Sequence, residues 1–307
     1  MSNQPPFQAN LILPPGTQVV TRVAIPGGKN TAGTIQGAVG IIVEAPIDNT
    51  HAYRVRFPDG GEASLRRSEI SIRKQWQQPE TNPLEEYNLY NYIIYRCIVG
   101  SRAFGLDDNN SDTDRRGIYL PPAQMHWSIF GVPEQLESQQ TEECYWEIQK
   151  FLTLALKANP NVLECLYSPL IETTSPLAEE LLGIRQIFLS QLVFQTYNGY
   201  VMSQFKKLEQ DIRTRGNIKY KHAMHLIRLL ISGITILKQG FVPVQVENHR
   251  EQLLAIKHGE MLWEDINNWR LSLHRDFDRA VTQTKLPERP DYQTANAFLI
   301  KARQQMV

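Results

Sequence analysis

The stretch "IYRCIVGSRAFGLDDNNSDTDRRGIYL", residues 94–120, restricts the fold more than any other part of the chain. An apolar run ends in Gly100-Ser101, Gly105 follows, and a polar loop leads through Ser111-Asp112-Thr113-Asp114 into a second apolar run. The pattern reads as strand, tight turn, short helix, loop and neighbouring strand. Gly100 permits the turn and a close backbone approach. Ser101 opens a helix whose free N–H groups, with the hydroxyl, make a phosphate cradle. On a strand, residues i and i+2 face the same side, so Asp112 and Asp114 point together. Two close carboxylates repel unless a cation sits between them. Mg²⁺, with Mn²⁺ as the alternative, suits that place, because it is hard and keeps waters and phosphates among its oxygen ligands. "DDNNSD" alone would make an ordinary surface turn; the flanking strands and glycines favour the metal.

Around this stretch the hydrophobic period changes along the chain. Residues 11–73 carry short, β-branched runs separated by turn signals, among them "AYRVRFPDGGEASL", two strands around Pro-Asp-Gly-Gly. Four or five such strands predict a small barrel, and the stretch resembles the SH3-like barrels of adaptor and nucleic-acid-associated proteins. Polar residues 75–87, with Pro79 and Pro83, read as a linker, with Asn82 capping a helix that starts near Pro83. "ECYWEIQKFLTLAL" reads as a strand turning into a helix that Asn159-Pro160 stops, and "NVLECLYSP" resumes it. From about residue 175 the apolar spacing is helical, with Gly199 a weak point and Gly240 and Gly259 as breaks. The expected fold is α+β: a β barrel over 1–76, an α/β core with a mixed sheet over 77–172, and a helical domain over 173–307.

The 307 residues carry 32 Lys+Arg and 32 Asp+Glu, so bulk charge offers no grip on nucleic acid or an anionic membrane. No apolar run approaches the roughly 18 residues a membrane span needs, and no signal peptide is seen. Three unclustered cysteines, Cys97, Cys144 and Cys165, argue for buried thiols in a reducing compartment rather than disulfides or zinc. A cytoplasmic location is expected.

At residues 100–117, "GSRAFGLDDNNSDTDRRG", the sequence resembles the polymerase-β-type nucleotidyltransferases, and within them a family whose genes neighbour RNA ligase genes. "YWEIQKFLTLALKANPNVLECLYSP" extends the resemblance, which spans about residues 85–260. It implies transfer of a nucleoside monophosphate from an NTP, ATP first, to a hydroxyl on an RNA end or a protein. It implies nucleotide contacts at Gly100, Ser101, Arg102 and Arg116, and metal ligation by Asp112 and Asp114. It also implies a third carboxylate. Glu142, Glu143 and Glu147 are candidates, and Glu147 occupies the matching acidic position as metal ligand or base. Glu164 is expected as a helix-surface carboxylate. Lys221, His225 and Arg228, at i, i+4 and i+7, share a helical face. That stripe is either solvated or in contact with the triphosphate, and Lys206, Lys207, Arg213, Arg215 and Lys219 would extend it towards a polyanionic acceptor. A catalytically silent regulator built on the same fold is the competing class.

Overall fold

A computed structural model describes residues 12–26, 33–46, 48, 51–73, 87–108, 111–138, 140–216 and 218–307. The linker, with Asn82, Pro79 and Pro83, lies outside them, as does the side chain of Arg215. The chain forms two compact units, residues 1–83 and 84–307.

The first unit is an antiparallel sheet of β1 (Gln18–Thr21), β2 (Val39–Glu44), β3 (Tyr53–Arg56), β4 (Glu62–Leu65) and β5 (Ile70–Ile72), in the order β4-β3-β2-β1-β5. Strand alternation decides its faces. In β3, Tyr53 and Val55 are buried with Leu13, Val19, Ile42, Phe57, Leu65 and Ile70, while Arg54 and Arg56 face out and pair with Glu62. The Pro-Asp-Gly-Gly turn forms as its residues dictate. Gly60 takes φ +86°, the Asp59 carboxylate accepts from the Gly61 N–H, and the Phe57 N–H donates to the Gly61 carbonyl.

The second unit begins with β6 (Ile93–Val99), α1 (Gly100–Phe104), β7 (Asp114–Tyr119), α2 (Ala123–Trp127), β8 (Gln135–Ser138) and β9 (Glu143–Glu147). α3 (Ile148–Leu156), α4 (Pro160–Tyr167) and β10 (Ile171–Thr174) follow. The sheet order is β10-β6-β7-β9-β8; β7 and β9 run parallel and the other neighbours antiparallel. Asn159 separates α3 from α4 by capping the second helix, its side chain accepting from the Asn161 and Val162 N–H groups, with Pro160 in the first turn.

The helices continue as α5 (Pro176–Gly183), α6 (Leu192–Arg215), α7 (Tyr220–Gln239), α8 (Arg250–His258), α9 (Trp263–Gln283) and α10 (Tyr292–Gln304). α6 runs unbroken through Gly199, where a single glycine costs the helix only about 1 kcal/mol. Gly240 and Gly259 end α7 and α8 in the left-handed conformation, as their positions in the sequence predict. A single core joins sheet and helices, running from Tyr95, Cys97, Ile118 and Trp146 through Phe151 and Leu163 to Tyr197, Ile227 and Phe277. The fold is therefore α+β, with two sheets, one of them mixed, and a helical C-terminal region. All three cysteines are free and buried. No helix among the described residues is long and apolar enough to cross a membrane.

Candidate active site

The turn after β6 brings the opening motif together. Val99 pairs with Asp114 across the β6/β7 ladder, so the residue after Val99 lies against the first carboxylate of β7. Gly100 has φ +72°, and a Cβ built there would stand 2.6 Å from Asp114 Oδ2. Glycine is required at this position twice over, for its backbone conformation and for the approach of the carboxylate. Ser101 follows in the first turn of α1, and Gly105 closes that helix with φ +71°.

Asp114 is half-buried, and Arg116 Nη2 approaches its Oδ1 at 3.2 Å. The other terminal nitrogen of Arg116 donates to the carbonyls of Arg115 and Glu142, tying the starts of β7 and β9 together. Asp112 is exposed, and its carboxylate has no partner among the described residues. Its carbonyl and that of Ser111 accept from Arg102, at 3.3 and 2.9 Å. Arg102, expected as a nucleotide contact, thus spends at least two donors shaping the loop that carries Asp112.

Glu147 lies elsewhere. In the parallel β7/β9 register Arg115 pairs with Glu143 and Tyr119 with Glu147, so Glu147 sits at the opposite end of the strand pair, roughly 15 Å along from Asp114. It is also on the other face. Strand parity places Cys144 and Trp146 with Arg116 and Ile118, whereas Tyr145 and Glu147 side with Gly117 and Tyr119. The packing agrees: Ile118, Cys144 and Trp146 join the main core, and Tyr119 and Tyr145 form a separate cluster with Leu136. Glu147 is 4% exposed; one oxygen caps α3 through the Gln149 N–H and the other meets Arg303 of α10 at 2.6 Å. The expectation that Glu147 ligates metal or acts as base is corrected: it is a buried, cap-forming partner of Arg303. Of the three acidic candidates, Glu142 lies nearest the Asp114 end of the strand pair, in the turn before β9 with φ +52°. Its carbonyl accepts from the Arg115 N–H at 3.2 Å and from Arg116 at 2.7 Å, which fixes its backbone beside the start of β7.

The cationic stripe on α7 also divides. Lys221 is exposed in the first turn. Arg228 is 6% exposed, meets Glu164 Oε1 at 2.6 Å, and lies 3.7 Å from the ring centre of Phe104 in α1. A triphosphate contact by Arg228 is corrected, because its charge is already matched by a buried acid. Glu164 is likewise 4% exposed rather than a surface carboxylate. Burial, then Arg228, Lys221, His222 and Lys207 in turn, lower the pKa of His225 to about 3. That direction favours the neutral imidazole at pH 7, which weakens the expected cationic stripe at His225. Lys207 and Lys221 remain as cations without ion-pair partners among the described residues.

Sequence reasoning missed the contacts that hold the far end of α1. Arg250 Nε donates to the Gly105 carbonyl at 2.7 Å, and Lys257 Nζ donates to the Leu106 carbonyl and to Asp108 Oδ2, each at 2.8 Å. Cations at a helix C-terminus satisfy its free carbonyls and match its dipole. The two basic residues stand seven apart on α8, a spacing legible only once α8 is known to meet α1.

Among the described residues no three His, Cys, Asp or Glu side chains converge as a metal cluster. The donor set still fits Mg²⁺, which is commonly bound through one or two carboxylates with waters and substrate phosphates completing the octahedron.

The class this arrangement defines, a Gly-Ser turn packed on an Asp-x-Asp strand of a mixed sheet, is that of a nucleotidyltransferase-like protein. Residues 74–301 match the RNA repair pathway DNA polymerase beta family, and the chain belongs to it. It is 28% identical over 156 residues to "Uncharacterized protein YcgL" of Bacillus subtilis (strain 168). That match covers 49% of this chain and 58% of the relative, so the chain spans little more than half the length of that relative. A nucleotidyltransferase-like protein from Exiguobacterium sibiricum 255-15 is similar in structure over 73% of this chain and 78% of its own, at 12% identity and a TM-score of 0.26.

Proposed function

We propose that the protein is a Mg²⁺-dependent nucleotidyltransferase that moves a nucleoside monophosphate from an NTP, ATP first, to a hydroxyl acceptor and releases pyrophosphate. The observation that carries this reading is the close packing of the Gly100 turn on Asp114, which leaves no room for a Cβ and sets free N–H groups beside a carboxylate. Asp112 and Asp114 would hold the ion, and Glu142 is the best-placed third carboxylate. When bound, the ion would neutralise charge on the phosphates and stabilise the transferring group.

The chain's own residues then have separable jobs. The Gly100 and Ser101 N–H groups and the Ser101 hydroxyl would orient the terminal phosphates. Arg116 would keep the Asp114 carboxylate turned towards the turn. Lys221, and behind it Lys207, would face the polyphosphate or the acceptor strand from the helical side. Catalysis of this kind is mainly positioning and electrostatics, which suits a site assembled from a rigid sheet and braced loops.

An RNA end is the favoured acceptor, in keeping with the RNA repair description of the family. The five-stranded N-terminal sheet, read as an SH3-like barrel, would bind the acceptor or a partner. The decisive experiment incubates the protein with labelled NTPs, Mg²⁺ and a panel of RNA, protein and small-molecule acceptors. Labelled RNA is the expected product; labelled protein would redirect the reading to nucleotidylation. No transfer and no nucleotide binding would favour the silent regulator.

A further inference from the structure

We propose that Lys257, assisted by Arg250, is a positioning residue for Asp112, acting from α8 through the loop between α1 and β7. The functional half of this statement rests on the nucleotidyltransferase reading.

A chain of hydrogen bonds joins Lys257 and Asp112. Lys257 is largely buried, with 18% of its side chain exposed, and two of its three ammonium donors go to Leu106 O and Asp108 Oδ2. Asp108 Oδ1 accepts from the Ser111 hydroxyl at 3.0 Å, that hydroxyl accepts from the Asp108 N–H at 2.9 Å, and the Ser111 N–H donates to the Asp108 carbonyl at 3.0 Å. Arg102 then grips the carbonyls of Ser111 and Asp112 from α1. Arg250 and the Val246 N–H hold the carbonyls of Gly105 and Phe104, so the start of the same loop is fixed from the same helical side.

The two carboxylates are thus anchored by different parts of the molecule. Asp114 belongs to the β6/β7 ladder and has Arg116 beside it. Asp112 precedes the strand and depends on the loop for its position. A substitution at Lys257 should disturb Asp112 and spare Asp114. It should also spare overall stability, because Asp108 is half-exposed and water can replace the lysine there. Outer-shell partners of this sort typically cost 10- to 100-fold in metal affinity when removed.

The test uses the full chain with Mn²⁺, seen by electron paramagnetic resonance, and a non-hydrolysable ATP analogue. Lys257→Met should weaken Mn²⁺ binding about 10-fold and remove hydrogen-exchange protection from the Leu106 and Ser111 amides, which donate to the Ser101 and Asp108 carbonyls, with the melting temperature nearly unchanged. Lys257→Arg should restore most of the affinity, and Lys301→Met, which breaks a surface pair with Glu180, should leave it alone. Asp108→Asn attacks the same link from the exposed loop and should repeat the Lys257→Met pattern. Unchanged Mn²⁺ affinity in both Lys257→Met and Asp108→Asn would overturn the proposal. If the unmodified protein takes up no Mn²⁺ with nucleotide, the nucleotidyltransferase reading fails, and exchange alone decides the positioning: selective loss upholds it, unchanged protection overturns it.

Discussion

The parallel strands β7 and β9 end in two acid–arginine pairs that differ in kind. At their start, Asp114 and Arg116 lie 3.2 Å apart, with 34% and 26% of their side chains exposed. At their finish, Glu147 and Arg303 lie 2.6 Å apart, at 5% and 12%. The first pair is half-exposed beside the Gly-Ser turn, and Asp112, two residues before Asp114, has a carboxylate with no partner among the described residues. The second is nearly buried under α10, where Arg303 and His126 also line an open cavity. Burial first, then Arg303, lower the pKa of that histidine, while Glu147 acts in the other direction. Acidic residues on one strand pair therefore differ by end: one carboxylate is half-exposed beside the Gly-Ser turn, and the other is buried, caps α3 and is matched by an arginine. Glu164 with Arg228 is of the second kind.

Breaking the buried pair should have the largest effect. Arg303→Met leaves Glu147 charged and uncompensated, and losing one partner of a buried pair costs about 3–5 kcal/mol. A large fall in melting temperature is expected. The double variant Glu147→Gln/Arg303→Met should recover part of the loss, and a double-mutant cycle would show the coupling. A Glu147→Gln protein that keeps its stability but loses transfer would reverse the contrast between the two ends.

At the half-exposed end the expected effect is on rate. Asp114→Asn should cut nucleotidyl transfer more than about 100-fold, beyond the range typical of outer-shell partners. Its melting temperature should hardly move, since water reaches the site. A comparable loss in Glu142→Gln would mark Glu142 as the third carboxylate, and full activity would remove it from the site.

Gly100→Ala is intermediate, because a Cβ there meets both the left-handed backbone and Asp114. The backbone term alone is about 1–2 kcal/mol, so a modest stability loss should accompany a rate loss of about tenfold or more. An alanine variant with normal kinetics would show that the turn and the carboxylate need not touch.

The last effect concerns pH. His225 has its pKa lowered to about 3 by burial and the surrounding cations, below the usual value near 6.5. Between those values the unfolded chain binds the proton more readily. The stability His225 supports is therefore present above about pH 6.5 and is lost as pH falls towards 3. Thermal melts from pH 7 to 4 should show a shallower decline in His225→Gln than in the parent. An identical slope would show that His225 titrates normally.

What could be read in the sequence was what neighbouring residues decide among themselves. The β6–α1–β7 turn, the helix break at Asn159-Pro160, the Pro-Asp-Gly-Gly hairpin and the glycine ends of α7 and α8 all follow from residues a few positions apart. Glu147 was assigned to the wrong end because an acidic residue beside an apolar strand looks the same whichever end of a partner strand it meets. Only the β7/β9 register, and α10 arriving with Arg303, separate the two cases. Arg228 reads as an exposed cation on helical spacing until Glu164 and Phe104 are placed against it. Lys257 and Arg250 carry no local signal at all, since their partners are backbone carbonyls nearly 150 positions away. Short strands β8 and β10 and the helix α10 were likewise unmarked, being polar or mixed and held by packing rather than by propensity.

The Glu147–Arg303 pair also sets an order of events during synthesis. The acid leaves the ribosome with β9 and α3, and its partner follows only after the whole helical region has been made. At 5–20 residues per second that interval is roughly 10–30 s. Throughout it, the strand pair that carries the Gly-Ser and Asp-x-Asp motif has an unmatched carboxylate at its far end. A chain halted before α10 would hold every proposed catalytic residue while Glu147 still lacked Arg303.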